Sequence, residues 1–315
     1  MINVDRYRYS SRKKRKPGRL ILGLLVLLAI VAGVIFLVRG EGKAGIKSLF
    51  ASANAEDTLA ELWKNRFYDE LITRCDERLA ADPMDHDALV YKGFSYFYRA
   101  AAEISVENRV PDLEEAIISL RRAQISDAQR MGPEKDYILG KAYYLKGKYY
   151  YDLCIFYLER SLEAGFSSED AFDYLGLAYT QLDRAEEGLS YFLRAVENNP
   201  TDLLLLTTGQ SFLRLKRTRE AEEYLIRAVN KTDDPGVEKK SRFLLGQLYF
   251  DRQDYFKAEG EYKRILELEP EAADAYFYLG EIYAALGDTV KARAQWRKTL
   301  IIDPSHYGAK LRYYK

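Results

Sequence analysis

The chain has 315 residues, of which 48% are hydrophobic and 13% aromatic, a composition that excludes a protein disordered along its whole length. Its 48 basic and 48 acidic residues balance, but residues 1–19 hold eight basic and one acidic residue, and the chain after residue 38 holds 40 basic and 47 acidic residues. An acidic body argues against nucleic-acid binding, because affinity for phosphate backbones comes mainly from Lys and Arg. With two cysteines and no CxxC motif, we expect no metal and no cofactor.

Residues 20–38 form an apolar segment of 19 residues without a charged side chain. As a helix this segment would span about 28 Å, which matches the hydrocarbon core of a bilayer. Eight basic residues precede the segment, whereas Arg39, Lys43 and Lys47 are the only bases shortly after it. The positive-inside rule then places residues 1–19 in the cytoplasm. We predict a single-pass protein of the cytoplasmic (inner) membrane, with a flexible linker over 39–54 and the body in the periplasm.

A cleaved signal peptide is the alternative interpretation of this segment. Ala53-Asn54-Ala55 has the small-x-small form of a cleavage site, and basic residues precede the apolar run. The run is longer than the core of a signal peptide, and a charged stretch separates it from Ala53. These features favour a membrane anchor.

The body of the chain repeats. Gly140, Gly176, Gly209, Gly246 and Gly280 are separated by 36, 33, 37 and 34 residues. The last unit carries Leu279-Gly280, Tyr283, Ala292, Trp296 and Pro304, and the unit before it carries Leu245-Gly246, Tyr249, Ala258, Tyr262 and Pro270. This pattern resembles the tetratricopeptide repeat (TPR) family, in which LG-x2-Y is followed by A-x3-aromatic and a closing Pro. The resemblance implies an all-α fold, an α-solenoid of about seven TPR helix pairs, here preceded by one transmembrane helix.

Unit boundaries follow from the same pattern. The solenoid is predicted over 55–306, and a capping tail over 307–315. Its units are predicted at 55–85, which is degenerate, 86–131, 133–168, 169–201, 202–235, 239–272 and 273–306. In the unit at 86–131, the distance from Gly93 to Ala116 is 23 residues, against 12 in the last three units. We expect the additional residues to lengthen its first helix, with Pro111 in the first turn of the second.

Few residues are available for catalysis. His86 and His306 are the only histidines, and HExxH, GxSxG, P-loop and GxGxxG motifs are absent from the sequence. Cys75 and Cys154 fall in second helices of units two apart, so each is expected to be a buried thiol rather than half of a disulfide. We expect a protein that is not an enzyme.

The resemblance also implies a concave surface lined by first helices. The family presents there the residue three before each repeat glycine, the one after it, and those four and five after it. Residues of this register that we predict to bind a partner are Phe94, Phe97, Tyr98, Tyr137, Tyr144, Phe243, Gln247, Phe250 and Phe277. The middle of the surface differs, with Asp173, Leu177, Thr180 and Gln181 followed by Leu206, Gln210, Leu213 and Arg214. The alternative is that the aromatics only pack first helices together. Chaperone-binding members carry a Lys three before the repeat glycine and an Asn just after it, and none of the six recognisable units here has either residue at those places.

The sequence favours a membrane-tethered periplasmic TPR scaffold that binds proteins or peptides in its concave groove. It would help assemble or organise an envelope machine such as a secretion system, a pilus, a flagellar-motor accessory structure or the cell-wall apparatus. Two alternatives stay open, a periplasmic ligand-handling adaptor of a transport system and an organelle-surface receptor with cytosolic repeats. A deep closed cavity would favour the adaptor, whereas the basic N-terminus opposes the receptor.

Overall fold

The computed structural model describes residues 58–166, 168 and 170–314. The chain divides into two compact units, Met1–Phe67 and Tyr68–Lys315. In the first unit residues 58–64 are helical, and Arg66 follows with a positive φ of 59°. The predicted cytoplasmic segment 1–19, transmembrane helix 20–38 and linker 39–54 lie outside the described residues. Within the described ranges, no helix combines the length and the apolarity that crossing a bilayer requires.

The second unit is built from α-helices that follow one another along the chain, and its described residues contain no strand. The helices are α1 (Tyr68–Ala81), α2 (His86–Ala102), α3 (Val106–Ser126), α4 (Gly132–Lys146), α5 (Tyr151–Glu163), α6 (Ala171–Gln181), α7 (Ala185–Asn198), α8 (Asp202–Arg214), α9 (Thr218–Lys231), α10 (Pro235–Asp251), α11 (Tyr255–Leu268), α12 (Ala273–Ala285), α13 (Thr289–Ile302) and α14 (Tyr307–Tyr313). A short 3-10 helix, Lys148–Tyr150, precedes α5. The prediction of an all-α fold is confirmed.

These helices pack as a solenoid of antiparallel pairs. Each helix contacts the next one in the chain, and the most extensive contacts join α2 to α3, α4 to α5, and so on through α12 and α13. First helices of consecutive pairs also meet, as α2 does with α4, α4 with α6, and α8 with α10. The even-numbered helices therefore form one layer and the odd-numbered helices the other, which confirms the predicted architecture of TPR helix pairs.

The repeat glycines allow the two helices of a pair to approach closely. A Cβ atom built on Gly140 would lie 2.5 Å from Cγ of Leu158. On Gly176 it would lie 2.5 Å from Cε1 of Phe192, and on Gly246 it would lie 2.8 Å from Cζ of Tyr262. Cβ atoms do not approach other heavy atoms so closely, so the second-helix side chain occupies the space that the missing Cβ leaves.

The pair α2 and α3 departs from the expectation. The additional residues are shared between α2, with 17 residues, and α3, with 21 residues. Because α3 begins at Val106, Pro111 is its sixth residue, and the prediction that it lies in the first turn is wrong. The connection between the two helices is short, and across it the Arg109 guanidinium donates to the carbonyl of Glu103, the residue after α2, at 2.7 Å.

Both cysteines lie in the core of the second unit. Cys75 in α1 and Cys154 in α5 are fully buried, and both are free thiols, as predicted. Burial raises the pKa of each thiol to about 12, since the thiolate would lose its hydration.

Candidate functional site

The predicted partner-binding residues lie on first helices, but they differ in exposure. Phe94, Phe97 and Tyr137 expose only 6%, 1% and 8% of their surface, so these rings lie inside the solenoid. Tyr98 is exposed, and the remaining five are half-buried: Tyr144, Phe243, Gln247, Phe250 and Phe277. The register therefore combines interior and surface positions, and only the second group could contact a partner.

At the α4/α6 interface, the predicted residue Tyr137 is held by its own neighbours. Its hydroxyl donates to Asp170 Oδ1 at 2.5 Å, and Lys141 Nζ donates to Asp170 Oδ2 at 2.7 Å. The same ammonium lies 4.9 Å from the ring centroids of both Tyr137 and Tyr174, within range of a cation–π interaction. Burial opposes ionisation of Asp170, but the hydrogen bonds from Lys141 and Tyr137 hold the pKa of its carboxyl below the usual value. This cluster is closed by internal contacts.

Two further predicted rings lie beside that interface. Tyr98 stacks on Tyr68 of α1 with ring centroids 5.9 Å apart, and Tyr144 meets Tyr174 of α6 edge-on at 5.1 Å. Both rings keep part of their surface in solvent. They can contact a partner without leaving their packed positions.

At the C-terminal end, rings again fill the space between consecutive first helices. Phe243 of α10 packs edge-on against Tyr278 of α12 with centroids 5.4 Å apart, and Gln247 Nε2 donates to the Tyr278 hydroxyl at 3.1 Å. Phe277 of α12 lies 4.7 Å from the imidazole ring of His306, the N-cap residue of α14. The ring of Phe250 packs on Tyr255 within its own pair at 5.6 Å.

The α6/α8 interface carries an acid where the other units carry an aromatic or aliphatic residue. The residues three before the repeat glycines are Val90, Tyr137, Asp173, Leu206, Phe243 and Phe277. Asp173 is the only charged residue of this set, in the third position of α6. Its Oδ1 atom is buried and has no hydrogen-bond partner among the described residues. A buried acceptor without a donor lowers the stability of the fold. Packing therefore does not account for an acid at this position.

Next to this oxygen lies a small cleft of about 110 Å³, which we call the α6/α8 cleft. Its lining residues are Asp173, Leu177, Phe192, Leu203, Leu204 and Thr207, with Thr201 at the start of α8. Burial, with a smaller contribution from the charge of Asp170, raises the pKa of Asp173 to about 6. The cleft thus has apolar walls and one carboxyl group that is ionised only in part near pH 6.

Two larger clefts lie elsewhere in the described part of the solenoid. One of about 410 Å³ lies between the starts of α10 and α12, and half of its lining residues are charged, among them Lys239, Lys240 and Asp274. The other, of about 390 Å³, lies between the ends of α8 and α10 and includes Gln247 and Asp251. Both open to solvent. No group of His, Cys, Asp and Glu within the described residues is arranged to hold a metal ion.

The aromatic pattern of the concave register does not point to Asp173, because that pattern singles out rings as the sign of a binding surface. The signal was present in the same register, as a single acid in a column of apolar residues. Burial of one carboxylate oxygen could not be read from the pattern, because it depends on α8.

Stacked helix pairs with a continuous layer of first helices define the class of α-solenoid repeat proteins. Sequence models of the tetratricopeptide repeat match residues 243–306 and 174–202. The chain is therefore a TPR-family protein, and its fold implies a scaffold for protein–protein interaction. No curated protein sequence matches the chain significantly.

Solved structures agree with this fold assignment. The C-terminal part of a TPR repeat-containing protein from Cytophaga hutchinsonii is similar with a TM-score of 0.64 and 14% identity, covering 82% of this chain and 98% of that one. BtubC (BKLC) from P. vanneervenii is similar with a TM-score of 0.50 and 16% identity, covering 64% of this chain and 92% of that one. At these identities the similarity establishes the fold alone.

Proposed function

We propose that this protein is a membrane-tethered scaffold whose TPR solenoid binds protein segments on its first-helix layer in the periplasm. The observation that carries the binding role is a layer of first helices with half-exposed rings at both ends and an open cleft with an unpaired carboxylate in the middle. Half-exposed aromatics supply contact area with little loss of conformational entropy, as in other protein interfaces. No enzymatic step is part of this proposal.

The tethering role is supported by the sequence of residues 1–38. The basic segment 1–19 and the uncharged apolar segment 20–38 have the order that retains an N-terminus in the cytoplasm. A tether of this kind places a binding surface at the cell envelope, where a secretion system, a pilus, a flagellar-motor accessory structure or the cell-wall apparatus is assembled.

The described clefts do not favour the alternative of a ligand-handling adaptor. The two larger clefts open to solvent, and six of the twelve residues that line the one between α10 and α12 are charged. Small-molecule sites are usually concave, mostly apolar and able to enclose most of the ligand.

Topology is tested with alkaline phosphatase, which is active only outside the cytoplasm. A fusion after Lys315 should be active, and a fusion at Asn3 should be inactive. The reverse result would refute the periplasmic location and favour the receptor with cytosolic repeats.

Partner binding is tested with a photocrosslinking amino acid in intact membranes. Placed at Gln181, an exposed first-helix position, it should yield a discrete crosslinked product with another protein. Placed at Phe256, an exposed second-helix residue, it serves as the matched control and should not. Equal products from both positions would contradict the assignment of binding to the first-helix layer.

A further inference from the structure

The α6/α8 cleft differs from the other clefts between first helices in the groups that line it. Tyr137 closes the space between α4 and α6, whereas at the equivalent place Asp173 is shorter than a ring and about 110 Å³ stays open toward α8. The larger cleft between α10 and α12 is open as well, but Phe243 stands there in place of an acid and Lys239 and Lys240 are among its lining residues. A buried carboxylate oxygen among apolar walls is therefore the property that distinguishes the α6/α8 cleft.

One polar atom of the cleft lacks a hydrogen-bond donor. Asp173 Oδ1 is buried without a partner among the described residues. The Thr207 hydroxyl already donates to the Leu203 carbonyl at 2.8 Å, and Thr201 Oγ1 accepts from the Leu204 amide at 3.2 Å. A donor that enters the cleft would therefore satisfy the Asp173 oxygen, which as a carboxylate oxygen can only accept.

The walls of the cleft are apolar. Leu177 of α6, Leu204 of α8 and the ring of Phe192 from α7 lie beside the carboxylate. A group that fits must combine an apolar stem with a cationic, donor-rich end, because an unpaired carboxylate in such surroundings is stabilised chiefly by an opposite charge. Lys and Arg side chains have this structure, and they commonly bury the stem while the charged end meets a polar group.

The size of the cleft favours a side chain over a free small molecule. Its volume of about 110 Å³ is well below that of sites that enclose metabolite-sized or drug-sized ligands, which are roughly 300–1,000 Å³. The charge of the body agrees with a basic partner, since the chain after residue 38 holds 40 basic and 47 acidic residues. Complementary net charge increases the rate of encounter and selects against acidic partners.

We propose that the α6/α8 cleft receives a Lys or Arg side chain of the partner protein, with Asp173 as the residue that pairs with its charge. This inference rests on the proposed binding of protein segments to the first-helix layer and specifies the chemistry of one contact. The raised pKa of Asp173 agrees with it, because an arriving cation would restore the stability that the carboxylate lacks in the free protein.

The first test uses n-butylammonium chloride, which mimics the lysine side chain, and the full-length chain in detergent micelles. With methyl-labelled Leu and Thr residues, titration should shift the signals of Leu177, Leu204 and Thr207. Asp173→Asn should weaken this response about tenfold or more, because it removes a charged hydrogen-bond acceptor. Asp152→Asn is the matched control, since Asp152 lies in the first turn of α5 and is exposed, and it should leave the response unchanged.

Two results would overturn the inference in this test. An unchanged response in Asp173→Asn would show that the ammonium binds elsewhere. Equal shifts with 1-butanol or with sodium butyrate would show that the walls, and not the charge, select the probe.

The second test separates this inference from the proposed function by selecting a displayed random peptide library on the full-length chain. We expect enriched peptides with a Lys or Arg at one fixed position, and loss of that preference in Asp173→Asn but not in Asp152→Asn. Enriched peptides without a fixed base would refute the inference while supporting peptide binding. No enriched peptide, together with a specific butylammonium response, would refute the proposed function and leave the cation site in place.

Discussion

The interface between α4 and α6 and the interface between α6 and α8 occupy equivalent places in consecutive repeats, yet they are completed in opposite ways. In the first, Tyr137 fills the space and its hydroxyl donates to Asp170, so that ring, carboxylate and the Lys141 ammonium satisfy one another. In the second, Asp173 leaves a cleft and a buried oxygen without a partner among the described residues. One register position can therefore support packing in one repeat and recognition in the next.

The largest effect is expected at the filled interface. Tyr137→Ala should lower the free energy of unfolding by roughly 3–5 kcal/mol, because it removes a buried ring and leaves Asp170 and Lys141 with fewer partners. Urea unfolding followed by circular dichroism measures this loss. Tyr149→Ala, at a tyrosine that is 82% exposed, is the control and should change stability by less than about 0.5 kcal/mol. Equal losses would show that the α4/α6 interface is not maintained by the ring.

A smaller loss of stability is expected at the contact between the two helices of one pair, α10 and α11. Gly246→Leu should cost about 1–3 kcal/mol, because any Cβ there meets the ring of Tyr262. Gly260→Ala is a useful contrast, since a Cβ at Gly260 in α11 meets nothing within 4 Å. That substitution should stabilise the protein by up to about 1 kcal/mol through helix propensity. Thermal melting of both variants measures these changes in stability. A Gly246→Leu protein with the melting temperature of the parent would contradict the close contact of Gly246 with Tyr262.

The open interface should respond to substitution with the opposite sign. The pKa of Asp173 is about 6 in the folded protein and 3.8 in the absence of the fold, so ionisation costs stability at pH values above about 6. At pH 8, Asp173→Asn should therefore be more stable than Asp152→Asn by on the order of 1 kcal/mol, a modest value because solvent screens part of the carboxyl group. The difference should disappear below about pH 4, where Asp173 is protonated in the folded and in the unfolded protein.

Melting of the two aspartate variants at pH 8 and pH 4 measures that difference. A destabilised Asp173→Asn protein at pH 8 would mean that the carboxylate is satisfied in the free protein. Gain of stability together with loss of cation binding is the pattern expected of a residue kept for recognition.

The smallest effect is expected at the other end of the α6/α8 interface, where both helices end. The Arg214 guanidinium donates to Asp183 Oδ1 at 2.5 Å and to the Thr180 carbonyl at 3.1 Å, and the pair is largely exposed. Arg214→Ala should change the free energy of unfolding by less than about 1 kcal/mol and leave the butylammonium response unaltered. A change in that response would extend the recognition site along α8, and calorimetric titration of the variant would detect it.

Most of the helix-pair architecture could be predicted from the sequence, because the same steric requirement recurs in each repeat. Gly140, Gly176 and Gly246 each face a large second-helix side chain, so a small residue must recur at that place. The start of α3 was not predictable in the same way, because this pair is longer than the others and the repeat pattern does not determine how the additional residues divide between α2 and α3.

The exposure of the first-helix aromatics could not be predicted from their register. Phe97 is buried and Tyr98, the next residue, is exposed, although the family register presents both. Burial at such positions is decided by side chains more than thirty residues away, as for Tyr137 with Asp170, or by the C-terminal helix, as for Phe277 with His306. Partner contact at the half-buried rings stays a prediction.

Cys75 and Cys154 allow the opening of two helices of the solenoid, α1 and α5, to be followed chemically. Each thiol is enclosed and stays protonated at physiological pH, so an oxidant or a thiol-specific reagent reacts with neither while the repeats are closed. Labelling then proceeds only through opening of the helix that carries the cysteine, α1 or α5. The two native thiols therefore report on local unfolding. Their separate labelling rates would measure how often the repeats that contain α1 and α5 open, without an added probe.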